Sequence, residues 1–133
     1  MGARVLIVDD ELNVRRSLAV GLRLSGFEVE DVDGSEAAIV ALDRANFDVA
    51  IVDLMLPGMN GLDLARRVHA DHPAVRVILM SAYHLSPRQV ERAEAGVVGF
   101  LPKPFRMEEA VRYFREQLDG LNRRAAVRRG NVF

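Results

Sequence analysis

Five polar residues, each placed just after a short apolar stretch, could together bind a metal ion and a phosphoryl group. They are Asp9, Asp10, Asp53, Ser81 and Lys103. Three carboxylates brought together repel one another unless a cation lies among them. Mg²⁺ prefers oxygen ligands and suits a site with few carboxylates and several waters. One carboxylate could then attack phosphorus and form an aspartyl phosphate, while the metal, the lysine and the serine neutralise the phosphoryl oxygens.

Each of these residues taken alone also has a simpler explanation. The acidic pair Asp9 and Asp10 could begin a helix, since helix N-termini favour negative charge. Asp53 could begin a turn, Ser81 could end a strand, and Lys103 could be an ordinary surface charge. The chemistry therefore depends on whether the fold brings the five residues to one place.

Apolar stretches and helical patterns alternate along the whole chain. Strands are predicted at residues 4–8, 28–32, 49–53, 75–80 and 97–101, and helices at 14–25, 37–45, 62–70, 86–95 and from about Met107 onward. Such alternation predicts a parallel sheet with helices on both faces, and right-handed crossovers leave few topologies. We predict an α/β, flavodoxin-like, doubly wound fold with a five-stranded parallel sheet of order 2-1-3-4-5 and five helices.

This fold predicts that the five polar residues meet. Parallel strands end at the same edge of a sheet, which is where open α/β sheets bind ligands. Asp53 stands at the end of the third strand. Because burial of an unpaired charge costs several kcal/mol, we expect Asp53 to lie where that strand reaches the surface.

Composition excludes several other classes of site. The chain has 133 residues, enough for one domain with its own core, and no cysteine. Disulfides, thiolate zinc sites and cysteine nucleophiles are therefore excluded. The sequence shows neither a signal-peptide pattern nor an apolar segment of membrane-spanning length. We expect a soluble, cytoplasmic protein with no membrane contact.

The charge is uneven along the chain. Four of the 18 basic residues and none of the 19 acidic ones lie in residues 120–133, which leaves residues 1–119 with a net charge of −5. We predict a domain over residues 3–119 and a basic tail or linker over 120–133. Apolar residues continue at helical spacing past Gly120, so the tail is either a projecting signalling or dimerising helix or a frayed linker. Without interleaved aromatic residues, four arginines predict no direct nucleic-acid binding.

Four stretches of the sequence together resemble the receiver domain of response regulators, the CheY-like family of two-component signal transduction. They are Val8–Glu11, Asp53–Gly61, Met80–Ala82 and Leu101–Phe105, within a resemblance that covers roughly residues 3–119. The resemblance implies that Asp53 accepts a phosphoryl group from a sensor histidine kinase, with Mg²⁺ as cofactor.

The resemblance also implies a role for each of the other site residues. Asp10 would be the main acidic metal ligand, Asp9 would assist it, and Met55 would contribute its backbone carbonyl. Ser81 and Lys103 would each bond a phosphoryl oxygen, and the Lys103–Pro104 peptide would be cis.

Signalling would follow from the same resemblance. Phe100 would be an aromatic switch that turns inward when Ser81 moves, with a plain core aromatic as the alternative. The fourth helix, fifth strand and fifth helix would then control an output partner or domain, or form a phosphorylation-dependent homodimer. Met55 and Tyr83 would flank the phosphoryl group, and their bulk predicts slow attack by water.

Two other functions use similar parts of the sequence. A small Mg²⁺-dependent aspartyl-phosphate phosphatase usually needs a second acid two residues after its nucleophile, where this chain has Met55. A flavin or nucleotide carrier needs phosphate donors after the first strand, where Asp9 and Asp10 would repel phosphate. We therefore predict a signalling switch rather than an enzyme.

Overall fold

The computed structural model describes residues 2–82 and 96–130, the last ten of them as helix backbone. The strands are β1 (Arg4–Val8), β2 (Glu28–Val32), β3 (Val49–Asp53), β4 (Arg76–Ser81) and β5 (Val97–Pro102). The helices are α1 (Leu12–Leu24), α2 (Ser35–Arg44), α3 (Gly61–Asp71) and α4 (Met107–Gly130). The helix predicted at 86–95 lies outside the described residues, so α4 corresponds to the predicted fifth helix.

The five strands form one parallel sheet in the order β2-β1-β3-β4-β5, which confirms the predicted topology. In the register of the sheet, Val8 pairs with Val52 and Asp53 pairs with Met80. The carboxyl ends of β1, β3 and β4 therefore lie side by side. This edge carries the polar residues singled out in the sequence.

Helices cover both faces of the sheet, and a separate core lies under each face. On one face, alternate strand residues such as Leu6 and Val52 pack with α2 and α3. On the other face, residues such as Ile7 and Ile51 pack with α1 and α4. Strands enclosed on both sides need apolar residues throughout, which explains the unbroken apolar runs of β1 and β3.

The last helix is long. α4 continues from Met107 through Gly120 as far as Gly130. Within the described part of the chain, no helix combines the length and apolar character needed to cross a membrane.

Candidate functional site

The structure brings the predicted site residues to the carboxyl edge of the sheet. Asp9 and Asp10 directly follow β1, while Asp53 and Ser81 are the last residues of β3 and β4. Lys103 directly follows β5. Residues that are up to 94 positions apart in sequence therefore become neighbours.

Lys103 is the centre of this group. Its Nζ donates to Asp9 Oδ2 at 3.0 Å, to Asp53 Oδ2 at 3.1 Å and to Glu11 Oε1 at 3.1 Å. Its backbone N–H donates to the carbonyl of Ser81 at 2.7 Å, which holds the loop after β5 against the end of β4. The Lys103–Pro104 peptide is cis, as the resemblance implied.

The expectation that Asp53 lies at the surface is wrong. It stands at the end of β3 as predicted, but only 4% of it is exposed, and Asp9 is fully buried. Burial is tolerated because the charges are paired. Asp53 Oδ2 faces the ammonium of Lys103, and its Oδ1 accepts the N–H of Met55 at 3.2 Å.

The buried charges perturb each other's ionisation. Burial raises the pKa of Asp9, although the N–H of Glu11 and the ammonium of Lys103 pull in the opposite direction. Burial by itself would lower the pKa of Lys103, but its hydrogen bonds to Asp9 and Asp53 outweigh this, and the pKa is raised. Lys103 is therefore held as a cation at neutral pH.

Three of the carboxylates could hold a metal ion. Asp9, Asp10 and Asp53 each offer one oxygen, and these three oxygens lie within 4.8 Å of one another. Asp10 is exposed whereas the other two are buried. An all-oxygen donor set with one side open to water fits Mg²⁺, which keeps several waters when it binds to proteins.

The other predicted residues are placed around this pocket. Ser81 is fully buried, whereas about half of Met55 (53%) is exposed. Phe100 is partly buried against the core on the α2 and α3 face. Tyr83 lies outside the described residues, and the predicted roles of these side chains stay predictions.

The turn after β3 is fixed by backbone contacts. Gly61 N–H donates to the carbonyl of Leu54 at 2.7 Å. A Cβ on Gly61 would collide with the carbonyl oxygen of Asp53, so α3 can begin this close to the site only with glycine. Asn60 caps α3 by accepting the N–H of Asp63 at 2.9 Å.

Two residues in contact with the site were not predicted from the sequence. Glu11 is a third carboxylate on Lys103, and its place next to Asp10 in the acidic motif was the available signal. Arg15 donates to the backbone carbonyl of Asp9 at 2.9 Å and to Asp31 at 2.8 Å. Nothing in the sequence pattern distinguishes Arg15 from the other arginines of α1.

The fold and the acidic pocket define a receiver domain, and comparison with known families agrees. The model of the response regulator receiver domain family matches residues 5–115. The chain belongs to this family, as the resemblance indicated. Receiver domains are the signalling switches of two-component systems, and they bind Mg²⁺ at an acidic pocket.

The chain is similar in sequence to parts of longer regulatory proteins. The chain is 39% identical over 105 residues to the response regulator protein FleR of Pseudomonas aeruginosa, covering 79% of this chain and 22% of FleR. It is 32% identical over 128 residues to the probable transcriptional regulatory protein TcrX of Mycobacterium tuberculosis, covering 96% of this chain and 51% of TcrX. The chain thus spans about half or less of these relatives. Other relatives are named DNA-binding response regulators, so the prediction of no nucleic-acid binding has no support from them.

Solved receiver structures match the whole fold. A CheY-like receiver domain protein from Methanospirillum hungatei has a TM-score of 0.82 at 26% identity, covering 93% of this chain and 99% of that one. The response regulator TrrA of Thermotoga maritima, solved in complex with Mg²⁺ and BeF, has a TM-score of 0.72 at 27% identity, covering 86% and 97%.

Proposed function

We propose that this chain is a phosphorylation-controlled switch in which Asp53 accepts the phosphoryl group. The observation that carries the proposal is the position of Asp53, buried at the end of β3 with its Oδ2 3.1 Å from Lys103 Nζ. A carboxylate so placed is oriented by Lys103 and by the N–H of Met55, and can act as a nucleophile.

The transfer itself is a displacement at phosphorus. An Asp53 carboxylate oxygen forms the new O–P bond while the bond from phosphorus to the donor breaks, and its electron pair leaves with the donor. The donor we propose is the phosphohistidine of a sensor histidine kinase, whose imidazole is the leaving group. Lys103 would pair with the charge on the phosphoryl oxygens, and Ser81 would bond another of them.

Mg²⁺ is the proposed cofactor. It would be held by Asp9, Asp10 and Asp53, with the backbone carbonyl of Met55 as a further ligand. When bound, the ion neutralises charge on the transferring phosphoryl group. The open side at Asp10 leaves room for its waters.

The structural change that signals phosphorylation would occur at the edge of the sheet formed by β5. We propose that phosphorylation moves Ser81 and Phe100 and thereby changes the face formed by β5 and α4. Phosphorylation would shift this face between two states. An output partner or domain, or a second copy of the chain, would bind one of these states more tightly than the other.

The test is intact mass after incubation with acetyl phosphate, with and without Mg²⁺. We expect a Mg²⁺-dependent gain of one phosphoryl group in the wild type and none in Asp53→Asn. Asp33→Asn is the matched control, because Asp33 is an exposed acid after β2 at the same edge of the sheet. Phosphorylation of Asp53→Asn to the wild-type extent, or no gain in the wild type, would contradict the proposal.

A further inference from the structure

A side chain of helix α4 accepts a hydrogen bond from the backbone of β5. The N–H of Phe100 donates to the hydroxyl of Tyr113 at 2.9 Å. Among the described strands β5 is at the edge of the sheet, and the outer N–H groups of an edge strand have no strand partner. Tyr113 supplies that partner from the helix.

The strand is shaped to receive this hydroxyl. A Cβ on Gly99 would lie 2.7 Å from the Tyr113 oxygen, so a larger residue there would displace the hydroxyl. The pairing of β4 with β5 also shifts here, since Val77 pairs with Val97 but Ile78 pairs with Gly99. Bulges of this kind re-aim the backbone locally.

The Tyr113 ring is itself held in place. It packs edge-on against Phe114 with ring centroids 5.5 Å apart, and Phe114 is fully buried in the core between the sheet and α4. Burial raises the pKa of the Tyr113 hydroxyl, although the hydrogen bond from Phe100 acts in the opposite direction. The hydroxyl is therefore neutral in the physiological range.

The carboxyl end of β5 is connected to the acidic pocket by Lys103, the residue that follows the strand. Lys103 lies three residues after Phe100, its ammonium contacts Asp53, and its N–H bonds to Ser81. A change of charge or size at Asp53 must alter the Lys103 contact. The short segment from Lys103 to Phe100 then connects that contact to the Tyr113 hydroxyl.

We infer that the Tyr113 hydroxyl is a positioning group that couples the acidic pocket to α4 by holding the helix to the backbone of Phe100. The inference rests on the proposed function, because Asp53 must be the group that changes. Core packing alone would also join the two elements, so the hydroxyl must be tested apart from the ring.

The test uses Mg²⁺ with beryllofluoride as the probe and backbone amide NMR shifts as the readout. In the wild type, the probe should shift amides of the pocket (Asp53 and Lys103) and of α4 (Ala110 and Phe114). In Tyr113→Phe, which removes one oxygen, the pocket shifts should stay within a factor of about 1.5 of the wild type. The α4 shifts should fall at least twofold. Loss of a neutral hydrogen bond changes a coupled equilibrium by roughly two- to tenfold.

A second variant and a control make the result specific. Gly99→Ala should displace the hydroxyl and lower the α4 response as Tyr113→Phe does, and the double variant should lose no more than either one. Gln117→Ala, one turn further along α4, should respond like the wild type.

The contradicting outcomes are distinct. If the wild-type pocket does not respond to beryllofluoride, the proposed function fails and the coupling fails with it. If the pocket responds while α4 in Tyr113→Phe shifts as in the wild type, or α4 shifts in neither protein, only the role of Tyr113 is overturned.

Discussion

The charge balance of the pocket is set at the level of single residues. Lys103 contributes one positive charge, whereas Asp9, Asp53 and Glu11 all contact it and Asp10 lies beside them. The ammonium therefore leaves a net negative charge among carboxylates of which two are buried. Such a pocket favours a second cation, which is the physical reason for expecting Mg²⁺ in addition to the lysine.

Replacing Lys103→Met should destabilise the fold at neutral pH. The substitution keeps the unbranched apolar part of the side chain but leaves Asp9 and Asp53 buried without their counter-ion. Breaking a buried pair costs about 3–5 kcal/mol, and since Lys103 keeps some solvent contact we expect about 2–4 kcal/mol by urea unfolding. Arg44→Met, which removes an exposed pair with Glu30, is the control, and it should cost less than about 1 kcal/mol.

The cost of Lys103→Met should depend on pH. Burial raises the pKa of Asp9 in the folded protein, and removal of Lys103 removes one of the groups that lower it. An acid with a raised folded pKa favours the folded state at low pH and opposes it once pH rises through that pKa. The loss of stability should therefore be smaller at about pH 4 than at neutral pH. An equal loss at both values would show that the charge is not its cause.

At the level of elements, pattern and spacing predicted the sheet well but not what covers its polar edge. The bounds of β2 and β3 are as predicted, whereas β4 is shifted by one residue at both ends and β5 is one residue longer at its carboxyl end. The sequence predicted that Asp53 and Lys103 share one edge but not that Asp53 would be buried there, since the strand pattern does not give the depth of a residue at a strand end. The contacts of Arg15 and Tyr113 were missed because periodicity places a residue on a face of a helix but does not identify its partner.

The junction between β3 and α3 gives a prediction at this scale. Gly61→Ala would place a methyl group against the carbonyl of Asp53 and the Cα of Leu54. Both are backbone atoms that cannot rotate away. Because overpacking of this kind costs about 1–3 kcal/mol, we expect a loss of that size in urea unfolding and slower phosphorylation by acetyl phosphate.

Gly120→Ala is the matched control for Gly61→Ala. A Cβ on Gly120 meets nothing within 4 Å, and the residue lies inside α4. Since alanine is favoured over glycine in a helix by about 1 kcal/mol, Gly120→Ala should stabilise the protein. If Gly61→Ala behaved in the same way, the close approach of α3 to Asp53 would not constrain the site.

At the scale of the whole molecule, the order of the strands is what creates the site. β1, β3 and β4 are neighbours in the sheet, so residues from distant parts of the chain share one edge. The same order places α1 and α4 together on one face, where Phe114 and Leu118 of α4 complete the core. The strands that carry the site and the start of α4 therefore share one core.

The extent of this core predicts where the chain can be shortened without loss of the fold. Leu118 is the last buried core residue among those whose side chains are described, and the predicted domain ends at residue 119. A chain that ends at Asp119 should unfold cooperatively with a Tm within about 5 °C of the full chain, since a change of about 1 kcal/mol shifts Tm by a few degrees at this size. Its rate of phosphorylation by acetyl phosphate should stay within a factor of about two, because the pocket residues are all retained.

The truncation also removes four arginines and changes the net charge from −1 to −5. The rates should therefore be compared at high salt, where surface charges are screened. Loss of cooperative unfolding would show that residues 120–133 belong to the domain, whereas a change in phosphorylation alone would show that the basic segment acts on the site.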